Sequence, residues 1–246
     1  MSANAYFEAA LAALREVQTT QAEAIGQAAQ LWVDAIRGDR AIYSFGASHS
    51  FMVTEELVYR TGGLMLVNPI YPHGMNLFVR PLPATSRLER VVGLGRELLS
   101  TVPLKAGDVV LITSTSGRNP VVIDLALAAR EQGAHTIALT SVAYTDHVAS
   151  RHPCGKKLKD LCDIVIDNGA PAGDAAVRVP GFAQAVGPVS TVTGCAIANA
   201  IVAETVARLT AAGYEPPVYM SANLDGGDAF NARLLNANRH RIHYLE

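Results

Sequence analysis

Ser48, His49 and Ser50 follow Gly46 and Ala47 in one short stretch, and Ser114, Thr115, Ser116 and Asn119 share another. Each stretch comes directly after an apolar run, Ala41-Ile42-Tyr43 in the first case and Asp108-Val109-Val110-Leu111-Ile112-Thr113 in the second. The order reads as a buried strand, a hydroxyl-rich tight turn and the first turn of a helix. Unpaired backbone N–H groups and the positive end of the helix dipole collect at such a turn. With hydroxyl donors around them they suit an anion, most often a phosphate. Two such turns in one α/β domain point to one anionic ligand gripped from both sides. The structural alternative is that the hydroxyls cap the following helices. One cap needs one such residue, and the second turn offers several. Asn119 either donates its amide to the anion or caps the helix that Pro120 opens.

Proton-moving groups stand near these turns. His49 lies inside the first one and can donate to an oxyanion or exchange a proton near neutrality; its alternative is a ring hydrogen-bonded to a neighbouring loop. Glu55 and Glu56 follow on the next helix, where Glu56 and Arg60 are four apart and suited to pair. His73 lies in the rigid loop Asn68-Pro69-Ile70-Tyr71-Pro72-His73-Gly74, after the next strand. Asp146, His147, His152, Cys154 and Cys162 lack the short ligand spacings of a zinc site, so they read as a surface loop and no metal is expected. Lys156, Lys157 and Lys159 read as a solvated basic turn. The tail Asn238-Arg239-His240-Arg241-Ile242-His243 either reaches a neighbouring subunit's site or lies on the surface.

The elements that must position these residues alternate. A long helix is predicted over 3–37, with Phe7, Leu11, Leu14, Gln18, Gln21, Ile25, Ala28, Trp32 and Ala35 forming a seam. Such a seam packs on its own domain or also on a second subunit. Strands are predicted at 41–45, 64–67, 108–113, 135–140 and 163–167. Helices are predicted at about 50–61, 87–101, 120–132, 144–150 and 189–212. Ser86 with Glu89 three residues on reads as a capping box for the 87–101 helix. Asp225-Gly226-Gly227-Asp228 reads as a loop with a helix cap. Alternation of this kind implies a parallel sheet covered by helices on both faces, with ligands outside the carboxyl ends of its strands. One domain is expected over 1–246: a helical arm at 1–38, an α/β core at 39–212 and a C-terminal extension at 213–246.

The chain has 246 residues, half of them apolar, and a formal charge of −2. That balance gives no strong field for nucleic acid or an anionic membrane. No apolar run reaches the roughly 20 residues of a membrane helix; the longest candidate, 194–209, is interrupted by Asn199, Glu204 and Arg208. No basic segment followed by an apolar one opens the chain. Three widely spaced cysteines fit a reducing compartment, and a cytoplasmic location is expected.

The pair Gly46-Ala47-Ser48 and Ser114-Thr115-Ser116-Gly117-x-Asn119 resembles the sugar isomerase (SIS) domain family. Its members carry a glycine-rich first turn and a later Ser-x-Ser-Gly-x-Ser/Thr turn, both on the phosphate of a sugar phosphate. The resemblance covers about Ala41 to Ala211 and the leading helix. Asn119 stands where the family usually has Ser or Thr, and Ser48 where a second glycine is common. The run from His49-Ser50 through Glu55-Glu56 to Arg60-x-Gly62-Gly63 is similar to a bacterial subgroup related to phosphoheptose isomerases.

The resemblance implies a three-layer α/β/α sandwich of flavodoxin-like or Rossmann-like kind. It implies a homodimer or homotetramer whose sites are completed by a second subunit. It also implies a phosphosugar ligand held by Gly46, Ala47, Ser48, His49, Ser50, Ser114, Thr115, Ser116 and Asn119. The implied activity is aldose–ketose isomerisation through an enediol, with a glutamate as base and no cofactor. Glu56 is the preferred base, since it shares the helix face of the family's glutamate; Glu55, His73 and Glu204 follow. Glu55 and Glu56 lie about one helical turn nearer the phosphate turn than in phosphoheptose isomerases. A non-enzymatic sugar-phosphate sensor and a phosphosugar lyase or etherase are the alternatives.

Overall fold

Alternate side chains of the central strands join two different apolar clusters, and this determines the architecture. In β1 (Ile42–Gly46) and β3 (Val109–Thr113) every residue is buried. Ile42, Val109 and Leu111 pack into one apolar cluster, while Tyr43, Phe45, Val110 and Ile112 pack into another. Alternate side chains leave a strand on opposite faces, so each face needs its own cover. The computed structural model, which describes residues 2–245, shows both covers.

The sheet has the order β2-β1-β3-β4-β5 and is parallel throughout, with β2 at Val67–Pro69, β4 at His135–Thr140 and β5 at Ile164–Asp167. One face is covered by α2 (Ala22–Arg37), α3 (Phe51–Leu57) and α8 (Ser190–Ala211), with Trp32, Leu57 and Ile201 buried against the strands. The other face carries α5 (Leu94–Leu99) and α6 (Pro120–Glu131), with Leu98, Val121 and Leu125 at the contact. This is the three-layer α/β/α sandwich expected from the sequence.

Several boundaries differ from expectation, each for a local reason. The N-terminal helix is two helices, α1 (Ser2–Thr20) and α2, separated at Gln21. Thr19 and Thr20 turn their hydroxyls back onto the Arg15 and Glu16 carbonyls, a bond pattern that competes with helix continuation. Gln21 then accepts a hydrogen bond from the Asp167 amide at 3.0 Å, so this seam glutamine is used within the chain. The strand expected at 64–67 begins at Val67, because Met65 donates to the Pro217 carbonyl and Tyr219 donates to that of Gly63.

The helix expected at 87–101 is two short helices, α4 (Pro83–Leu88) and α5. Gly93 breaks it at φ 91°, and the Asp124 carboxylate holds the Gly93 amide at 2.6 Å. The Ser86–Glu89 capping box does not form: Ser86 lies inside α4 and Glu89 follows its last turn. A short helix α7 (Val142–His147), a hairpin of β6 (Ala175–Arg178) and β7 (Ala185–Pro188), and a late helix α9 (Gly227–Asn238) complete the described residues. Neither strand of the hairpin was expected from the sequence.

α8 is long and apolar enough to cross a membrane by length and composition, with mean hydropathy 1.3 over its best window. In the fold it is a core helix, packed on α2 and α3.

Candidate functional site

Both hydroxyl-rich turns open at the carboxyl ends of β1 and β3, which are neighbours in the sheet. The first turn needs unusual backbone. A Cβ on Gly46 would collide with the Ser50 carbonyl, so only glycine allows the chain to fold back so tightly. Ser48 adopts φ 56°, a left-handed conformation costly for a residue with a Cβ; its amide is held by the Met75 carbonyl at 2.8 Å. One turn of 3₁₀ helix over Ser48–Ser50 leads directly into α3.

The second turn is held from outside. The Thr115 carbonyl accepts from the Ser141 amide at 3.0 Å and from Thr140 Oγ1 at 3.2 Å. The Ser116 carbonyl accepts from Thr145 Oγ1 at 3.1 Å, and the Gly117 and Arg118 carbonyls accept from the Leu158 and Arg151 amides. Carbonyls fixed outward leave the amides of Thr115 and Ser116 without a partner among the described residues. Ser114 Oγ accepts from the Gly117 amide at 3.2 Å and locks the turn.

The two turns face one cavity of about 250 Å³. Ala47, Ser48, His49, Ser50, Ser114, Thr115 and Ser116 line it, with Thr113, Glu89, Val122, Tyr144, Gly173 and Asp174. Thr113 is 3% exposed and its hydroxyl has no hydrogen-bond partner. Enclosed donors without partners are costly, so the cavity is built for a ligand with acceptor atoms. Asp174 lines it but spends its carboxylate on the N-terminus of α8, accepting from the Val189 and Ser190 amides and the Ser190 hydroxyl.

Glu89 is the carboxylate the sequence reading assigned to a cap. Asn119 Nδ2 donates to its Oε2 at 2.7 Å, and Arg151 Nη1 donates to Asn119 Oδ1 at 2.9 Å. Asn119 therefore makes no side-chain cap for α6; it fixes Glu89 beside the second turn. Burial pushes the Glu89 carboxyl above its usual range, and the Asn119 hydrogen bond, Arg90 and Arg151 offset this only in part.

Of the expected proton movers, His49 lines the cavity, and Glu55, Glu56, His73 and Glu204 do not. Glu56 pairs with Arg60 and accepts from Asn199 Nδ2 at 2.7 Å, joining α3 to α8. Glu55 borders a separate hollow with Phe51, Pro69 and Tyr71. His73 is exposed, its ring 6.3 Å from that of Tyr71. Glu204 is half-exposed and bound to Arg208 at 2.7 Å, so the burial expected of it does not occur. Lys157 is not simply solvated: its Nζ donates to the Thr145 carbonyl at 2.6 Å, at the negative end of α7. His152 is not on the surface either; it bridges Asp124 and Cys154 with its side chain 10% exposed. Among the described residues, no three His, Cys, Asp or Glu side chains group as a metal site.

The SIS domain profile matches residues 5–141, which include both turns and Glu89. The chain belongs to the SIS domain family. A UPF0309 protein of Shouchella clausii is 45% identical to this SIS protein over 240 residues, covering 98% of each chain. A UPF0309 protein of Streptomyces griseus is 40% identical over 243 residues, covering 98% of this chain and 97% of that one. Among solved structures, the phosphoheptose isomerase of Neisseria gonorrhoeae superposes with a TM-score of 0.54 at 19% identity, over 83% of this chain and 97% of that one. The Vibrio vulnificus NanR protein, solved with ManNAc-6P, gives 0.55 at 14% identity, over 96% of this chain and 69% of that one. At these identities the structures share the fold.

Proposed function

We propose that this SIS protein binds a sugar phosphate in the cavity between the two turns and interconverts its aldose and ketose forms. Glu89 is the base. The observation that carries this reading is a half-buried carboxylate with a raised pKa beside a cluster of unpartnered amides and hydroxyls. The amides of Thr115 and Ser116 and the hydroxyls of Ser48, Ser50, Thr113 and Ser116 take the phosphate. The sugar then extends toward Glu89.

The carboxylate removes the proton from C2 of the aldose and returns it to C1 through an enediol, while His49 moves the proton between the two sugar oxygens. A base whose pKa is lifted toward the working pH transfers protons in both directions more readily. Glu55 and Glu56 act in this cavity only if a neighbouring subunit brings them there. The likeness to a phosphoheptose isomerase supports the reading as a shared fold, and that to the NanR protein solved with ManNAc-6P supports the binding of a sugar phosphate.

Binding is tested by calorimetry with a panel of phosphorylated aldoses, ketoses and amino sugars. The expected result is saturable binding of at least one phosphosugar, with its unphosphorylated parent bound at least tenfold more weakly. Equal affinity for the two would refute the phosphate assignment. Binding without isomerisation by any ligand would make the protein a sensor.

A further inference from the structure

A second cavity, of about 230 Å³, opens at the opposite rim of the sheet, below the amino ends of β1 and β3. Arg40, Tyr43, Lys105, Asp108, Arg241 and His243 are among its lining residues. The C-terminal tail builds one wall. Asn68 ties it down, donating from Nδ2 to the Arg241 carbonyl at 3.0 Å and accepting from the His243 amide at 2.7 Å. The Arg241 guanidinium donates to the Ile36 carbonyl at 2.7 Å and to Asn238 Oδ1 at 2.8 Å. The His243 ring stacks parallel to Tyr43, with centroids 6.1 Å apart.

The two carboxylates here, Asp39 and Asp108, each already hold donors. Asp108 takes the Ala41 amide at 2.9 Å and the Lys105 amide at 2.7 Å. Asp39 is 2.7 Å from His240 Nε2. Buried donors are left without partners. Tyr43 is 0% exposed and Arg241 5%, yet the Tyr43 hydroxyl and Arg241 Nε make no hydrogen bond. Burial and the Asp108 carboxylate push the Tyr43 phenol up, so it stays protonated. Arg40 and Lys105 are exposed, and neither has an ion-pair partner among the described residues. A small oxyanion would meet the Tyr43 hydroxyl, Arg241 Nε and the charges of Arg40 and Lys105.

We propose that this cavity is a second anion site, taking the oxyanion of a small phosphorylated or carboxylated metabolite. It is separate from the sugar-phosphate cavity, at the other end of β1, and does not depend on that reading.

The test is calorimetry of the full-length protein with inorganic phosphate, and with malonate to separate phosphate from carboxylate recognition. Two phosphate sites per chain are expected. Lys105→Glu should weaken one at least tenfold and leave the other unchanged, and Ser116→Ala should do the reverse. Tyr43→Phe keeps the ring stacked on His243 and removes one donor. It should lower the affinity of the tail-side site severalfold without lowering the melting temperature of the phosphate-free protein. Preferential binding of malonate at the site weakened by Lys105→Glu would assign it to carboxylates. If Lys105→Glu and Tyr43→Phe leave every phosphate and malonate affinity unchanged, the cavity holds water alone and the proposal fails.

Discussion

In the turn after β3, the carbonyls from Thr115 to Arg118 are each held by a neighbouring element. In the turn after β1, the backbone is held by the bond from the Ser48 amide to Met75, by an internal bond from the Ser50 amide to the Ala47 carbonyl, by the close fold at Gly46 and by a left-handed Ser48. The second turn is an amide cradle whose shape comes from its surroundings. The first is a strained loop that presents side chains, Ser48, His49 and Ser50. A ligand bridging both would take its fixed charge contacts from the second turn and its adjustable hydrogen bonds from the first. Backbone strain that survives at such a place is commonly retained for function.

Changes to chemistry and to each turn should separate these roles. The largest effect is expected at the carboxylate both turns serve. Glu89→Gln keeps an acceptor for Asn119 but cannot take a proton, and should lower turnover by about 10²–10⁴ with little change in phosphosugar affinity, as read by steady-state rates beside calorimetry. The same variant carries a stability signature. Because the folded-state pKa of Glu89 is raised, its ionisation opposes folding once the pH passes the unfolded-state value, and fully so above the folded one. Glu89→Gln should therefore melt higher than the parent at neutral pH, and the difference should vanish in acid below the ordinary glutamate range.

Next in size is Gly46→Ala. Its Cβ meets the Ser50 backbone, and forcing the loop apart should cost about 3 kcal/mol, the upper end for overpacking, measured by denaturant unfolding; phosphosugar binding should be lost with it. Ser116→Ala removes one donor from a cradle whose amides remain. It should weaken phosphosugar binding by about 1–3 kcal/mol, the usual worth of a hydrogen bond to a charged group, with unfolding unchanged. The smallest effect is expected at Ser48→Gly. Relief of the left-handed strain outweighs the extra freedom of glycine in the unfolded chain by about 1 kcal/mol or less, so the protein should become slightly more stable while binding its ligand less well. If Ser48→Gly left affinity intact, the first turn would act through its backbone and not through the Ser48 hydroxyl.

The two turns also differ in how far the sequence discloses their settings. β3, β4 and α6 were legible because apolar runs bounded by Pro120 and Gly133 leave little freedom, and the hydroxyls of the second turn follow directly from them. The surroundings of the turns were not legible. Glu89 three residues after Ser86 has the spacing of a capping box, and only the tertiary contact of Gly93 with Asp124 shows that the helix breaks and sends Glu89 to Asn119. Glu56, next to the first turn in sequence, is carried by α3 toward α8. Tyr144 and Asp174 reach the cavity from two other segments. A pattern confined to a few neighbouring residues carries no record of such long-range placement. One residue class could have flagged Glu89: it is an acidic side chain in the segment between β2 and β3, which must pass over the ligand rim in a parallel sheet.

The central claim is that Glu89, held beside the two turns, moves a proton on a bound sugar phosphate. Its most direct measurement is deuterium incorporation at C2 of a phosphosugar that binds, followed by NMR in D₂O for the parent protein, Glu89→Gln and Glu56→Gln. Exchange is expected in the parent and in Glu56→Gln, and its loss in Glu89→Gln with the ligand still bound. Full exchange in Glu89→Gln, with loss in Glu56→Gln, would contradict it and place the base on α3.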